Sequence, residues 1–81
     1  LSLDAGLDGR IYVLDAANSR IQVFAADGQY ITQWGRFGSG PGEFNFSVAG
    51  DATFAGSIAV DDSGFIYVAD VGNNRIQKFA P

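Results

Sequence analysis

The chain has 81 residues with no cysteine and no histidine, which excludes a disulfide framework, thiolate metal sites and the commonest general base. Nine acidic side chains against five basic ones leave a net charge of -4, a poor match for nucleic-acid phosphates or anionic lipid. No apolar run approaches the ~20 residues of a membrane-spanning helix, and a core of this size buries only about 60–65% of the unfolded surface and needs outside support.

In chain order, the short apolar run 1–4 reads as a strand ending at a turn. Residues 10–15 form the next strand, apolar on both sides: Ile11 and Val13 point one way, Tyr12 and Leu14 the other. Asp15 to Asn18 is a turn made of residues that tolerate left-handed backbone and cap their own main chain. Residues 20–25 form a third strand, Asp27-Gly28 is a hairpin turn, and 29–35 form a fourth, with Tyr30, Thr32 and Trp34 alternating against Ile31 and Gln33. After a glycine-rich link and the segment 46–56, strands recur at 57–61, 65–70 and 75–80. The whole is an antiparallel meander without a helix-length amphipathic stretch.

The recurrence is an internal repeat. Residues 9–25 (GRIYVLDAANSRIQVFA) and 64–80 (GFIYVADVGNNRIQKFA) share eleven of seventeen positions at an offset of 55. Upstream, Leu1-Ser2-Leu3-Asp4 aligns with Ile58-Ala59-Val60-Asp61 after a two-residue slip, which gives the first copy the longer loop before Gly9. A sheet whose second strand is apolar on both sides must be covered on both sides. Radial stacking of four-stranded sheets does this, and that arrangement is a propeller.

The run from Ile58 to Phe79, I-A-V-D-D-S-G-F-I-Y-V-A-D-V-G-N-N-R-I-Q-K-F, resembles the NHL repeat almost throughout, and residues 1–34 resemble it again. Trp34-Gly35 to Phe44-Asn45 is similar to the link that joins one blade of that family to the next. The resemblance implies an all-β fold, antiparallel meander blades of an NHL-type, usually six-bladed β-propeller, with two blades in this chain. The first blade is expected over 1–45, an inserted loop over 46–56 where the family has a short Pro/Gly step, and a second blade over 57–81 without its outer strand. It also implies further blades as partners, from copies of the chain or from the rest of a longer one. Three copies would make six blades, and a closed ring is expected rather than a fibre. The start at Leu1 without methionine suggests a processed or excised piece. Family habit and the low lysine content suggest an extracellular or periplasmic setting.

Strand parity puts the turns at Asp15, Asn18, Arg20 and at Asp70, Asn73, Arg75 on one face, together with the link and the 46–56 insertion. These repeated residues are read as structural: Asp and Asn shape the turn, and Arg pairs with a carboxylate and nearby carbonyls. Asp8, Asp27 and Asp62 fall on the opposite face; at Asp8-Gly9 and Asp61-Asp62-Ser63-Gly64 a plain turn is favoured over calcium binding because the ligand spacing of a calcium loop is missing. Gly38 to Gly42 lacks the Gly-Lys-Ser/Thr ending of a phosphate loop and reads as a linker. Trp34, Arg36, Phe37, Phe46, Val48 and Phe54 are the candidate ligand or partner face, the insertion being the one segment that blade geometry does not demand; packing over the outer strand is favoured for Trp34, and a plug or assembly role over ligand contact for Phe46, Val48 and Phe54. Asn45-Phe46-Ser47 is an N-glycosylation sequon.

No catalytic, cofactor or metal residue is assigned, and no cofactor is expected. The leading reading is a non-catalytic scaffold that binds protein or carbohydrate through its loop face. A fragment of a propeller lyase or hydrolase, with its catalytic residues outside this chain, is the alternative. RNA binding is disfavoured by the acidic balance, and a designed repeat module by the irregular insertion and the diverged copies.

Overall fold

The computed structural model describes residues 2–47 and 54–81. It contains two antiparallel sheets. The first has four strands in chain order, β1 (Ser2–Ala5), β2 (Ile11–Asp15), β3 (Arg20–Phe24) and β4 (Tyr30–Trp34). The second has three, β5 (Ser57–Val60), β6 (Ile66–Asp70) and β7 (Arg75–Phe79). Apart from β1 (Ser-Leu-Asp-Ala), the strands are rich in β-branched and aromatic residues, and glycine or aspartate turns lie between them, so local preference and sheet pairing agree. Among the described residues nothing pairs with the outer edge of β7. Of the expected first strand, Leu1 lies outside the described residues.

Two sequence expectations change. The turns between β2 and β3, and between β6 and β7, are single 3-10 turns over Ala16–Asn18 and Val71–Asn73. The left-handed residues are the next ones along, Ser19 (φ 52) and Asn74 (φ 54). Asn18 and Asn73 instead turn their amides onto Asp15 and Asp70. The two-residue slip is also absent. Leu3 pairs with Val13 and Ile58 with Val68, so the offset of 55 runs unbroken through the first strand of each sheet. The turns agree: Gly6 N–H bonds the Arg10 carbonyl just as Asp61 N–H bonds that of Phe65. A two-residue slip would leave every side chain on the same face, so facing cannot decide the alignment; the hydrogen-bonded register does, and it overrides the likeness of Leu3-Asp4 to Val60-Asp61. Asp4 pairs with the buried Tyr12 and so faces the second sheet, where its carboxylate accepts the Val60 N–H at 2.8 Å.

The core lies between the sheets. Tyr12, Leu14, Ile21 and Val23 of the first meet Ile58, Ile66 and Val68 of the second, all buried. Phe44, near the end of the link, and Phe46, just beyond it, are wedged in with them and stack with centroids 5.3 Å apart. Phe79 stands edge-on to both Trp34 (5.3 Å) and Phe44 (5.8 Å). The link turns inward at Gly35, whose φ of +106° is left-handed. A Cβ there would lie 2.6 Å from the Phe44 ring and 2.9 Å from the Ser19 carbonyl, so only glycine fits.

Among the described residues nothing covers the outward faces. Leu3 (56% exposed) and Tyr30 (56%) lie on that of the first sheet, and Ile76 (72%) on that of the second. Truncating Phe46 to alanine removes one of the two stacked aromatics and should cost about 3–5 kcal/mol, enough to unfold a chain of this size. Thermal unfolding followed by circular dichroism checks it; a change below about 1 kcal/mol would contradict the packing described.

Candidate functional site

The densest polar cluster sits at the turn between β6 and β7. Asp70 ends β6 with its side chain fully buried. Its Oδ2 accepts Arg75 Nε at 2.9 Å, Asn73 Nδ2 at 3.0 Å and Gln77 Nε2 at 3.2 Å, while Oδ1 accepts the Asn45 main-chain N–H at 2.8 Å. Arg75 and Gln77 alternate on β7, so both point to the side that carries Asp70.

These side chains grip the glycine-rich link as a strap. Arg75 Nη1 donates to the Ser39 carbonyl, and Nη2 to those of Gly40 and Glu43, at 2.8–2.9 Å. Gln77 donates to the Glu43 carbonyl at 2.7 Å and accepts the Gly42 N–H at 3.0 Å. Asn73 donates to the Gly38 carbonyl at 2.8 Å. The strap folds on itself: Glu43 accepts Gly40 N–H and Arg36 Nε, and Phe37 bridges Phe44. Gly72 N–H bonds the Asn45 carbonyl at 2.7 Å, and a Cβ at Gly72 would collide with that oxygen.

Burial alone would raise the Asp70 pKa, but the donors of Asn45, Asn73, Arg75 and Gln77 together hold it below the ordinary aspartate value. Glu43 is likewise lowered, first by the Gly40 N–H and then by Arg36. At the same place in the first sheet, Asp15 binds Arg20 (2.7 Å), Asn18 (3.0 Å) and Gln22 (3.2 Å). There too partial burial works against the charge, and Arg20 and Asn18 outweigh it to lower the pKa. Among the described residues no strap covers this second cluster.

The candidate face does not come together as one surface. Phe46 is 1% exposed and belongs to the core, because its ring completes the stack with Phe44. Trp34 turns into the space between the sheets, where Phe79 takes its edge. Arg36 is paired with Glu43 at 2.8 Å. Phe37 (69%) and Phe54 (50%) are exposed, and Val48 lies outside the described residues. Asn45 sits between Asp70 and Gly72 and accepts the Ser47 N–H through its side chain.

Sequence reasoning missed Gln22, Gln77 and Gly72; the glutamines were visible as identities in the repeat. It also missed a cleft of about 260 Å³ between the sheets, walled by Tyr12, Val23, Thr32, Trp34, Ile66 and Phe79. Trp34 Nε1 is buried there without a partner among the described residues.

A family model described as a 6-bladed beta-propeller matches residues 5–80. The chain is also similar to the human NHL repeat-containing protein 3, at 34% identity over 74 residues. That match takes in 88% of this chain and 19% of the relative, so the chain spans about a fifth of that protein's length.

Asp70 should therefore matter far more than Asp15. Asp70→Ala leaves Arg75 half-buried without its carboxylate and releases the strap, costing about 3–5 kcal/mol, whereas Asp15→Ala should cost about 1 kcal/mol or less. Denaturant unfolding of the two variants side by side checks this, and equal losses would refute it. The pH dependence has a fixed sign. A lowered folded-state pKa gives stability that is present above the unfolded value of about 3.9 and lost as pH falls through the folded one. Asp70→Asn should flatten that acid limb, read from the fluorescence of the single tryptophan.

Proposed function

The chain belongs to the 6-bladed beta-propeller family, and from that premise we infer that it is a non-catalytic repeat segment of an NHL-type propeller, completed by stacking with further blades. Its divisions are read as a first blade over 1–45, an inserted loop over 46–56 and a second blade over 57–81.

One observation carries this reading: the two sheets are equivalent at an offset of 55, yet among the described residues each is covered on one side only. The side of the second sheet that carries Ile66, Val68 and Phe79 is buried against the first. The matching side of the first sheet, with Ile11, Val13 and Phe24, faces outward beside the exposed Leu3 and Tyr30. Likewise Tyr12, Leu14 and Ile21 are buried, while their counterparts Tyr67, Ala69 and Ile76 face outward. Each open side thus has the chemistry of a side already seen filled, and burying such apolar area is favourable at roughly 25 cal/mol per Å². On a disc built this way, the exposed Phe37 and Phe54 on the loop face are the contacts offered to a protein or carbohydrate ligand.

Sedimentation or native mass analysis over a concentration series tests the stacking. Association that grows with concentration, and that Ile76→Lys abolishes while leaving the circular dichroism unchanged, is the expected result. A well-folded monomer up to the highest soluble concentration would refute it.

A further inference from the structure

We propose that Asp15, Asn18, Arg20 and Gln22 form an open receptor for the glycine-rich strap of a preceding blade. This deepens the stacking reading above and rests on it.

The second sheet supplies the template. Its four equivalent residues, Asp70, Asn73, Arg75 and Gln77, each spend part of their hydrogen-bonding capacity on one another and the rest on the main chain of residues 38–45. In the first sheet the inner half of that pattern is already made. Arg20 Nε lies 2.7 Å from Asp15, against 2.9 Å for Arg75 and Asp70, and both glutamines sit 3.2 Å from their aspartates. The outer half is mostly unused: Arg20 Nη1 donates to Gln33 Oε1 at 3.1 Å, where Arg75 Nη1 takes the Ser39 carbonyl. Among the described residues Arg20 Nη2 donates to nothing, Gln22 accepts nothing, and Asn18 serves Asp15 alone.

The capacity left over defines the ligand: an extended, glycine-rich segment offering carbonyls to Arg20, Asn18 and Gln22 and N–H groups to Asp15 and Gln22. An aromatic residue beneath it would seat on Phe24, as Phe44 does on Phe79. Another copy of this chain does not offer such a segment freely, because its residues 38–45 already lie on its own second blade. The occupant is thus the strap of an additional blade. That strap differs from residues 38–45 in one respect. Ala17 stands where Gly72 does, so the main chain at the position of Asn45 must ride higher by the width of a methyl group.

The test repeats residues 35–56 ahead of Ser2, which preserves the spacing between the strap and Ser57, in an Ala17→Gly background. Tethering puts the added strap at millimolar effective concentration. The melting temperature should rise by about 5 °C over the unextended Ala17→Gly chain, and Asp15→Ala should erase that rise. The Gln22 side-chain amide signals should shift with it. No rise, or a rise that Asp15→Ala leaves intact, overturns the receptor. Concentration-dependent association without that rise overturns the receptor alone, whereas loss of association overturns the stacking reading beneath it.

Discussion

A buried carboxylate must be given hydrogen-bond donors or it will not stay charged inside a protein, and the Asp70 side chain shapes this molecule through that demand. Four donors converge on it from three places: Asn45 on the link, Asn73 in the turn, and Arg75 and Gln77 on β7. Meeting the demand orders the turn, aligns β7 beside β6 and brings the link across the sheet. Arg75 then uses the far side of its guanidinium on link carbonyls that would otherwise lose water without compensation. Once the strap is held, Phe44 and Phe46 are committed to the space between the sheets.

The same residue set occurs twice and is used differently, and that difference gives the chain its character. Asp70 works inside a closed interface; Asp15 stands at an open one, with about a fifth of its side chain exposed. A blade is therefore not a self-sufficient unit. Its sheet has two apolar sides, and in the second sheet one of these is filled by the first sheet while the link covers the polar cluster. Stability in such an array is a sum over interfaces, so a two-sheet segment holds one full interface and two halves.

Much of the fold was legible without coordinates. Strands β2, β3, β6 and β7 stood out because pattern, turn residues and repeat identity all agreed there. Strand β1 was also legible, but its alignment was not: Leu3-Asp4 looks like Val60-Asp61, whereas hydrogen-bond register puts Leu3 opposite Val13 as Ile58 is opposite Val68. Phe46 was read as a loop aromatic because it follows the familiar link. Its burial depends on a partner, Phe44, whose inward turn depends in turn on Gly35. The sequon and the strap compete for the same short stretch, and nothing local says that Asn45 lends its main chain to a residue 25 positions away.

The amino-acid sequence by itself determined the strands, the repeat and the need for neighbours, since alternation, turn chemistry and a doubly apolar strand are properties of short segments. Only the tertiary structure decided which of two matching polar clusters is closed and which is open, where the stacked aromatics go, and how β1 is registered. Those outcomes depend on contacts between residues far apart in the chain, and the energy of such a contact is set by what lies across the interface rather than by what lies next in sequence.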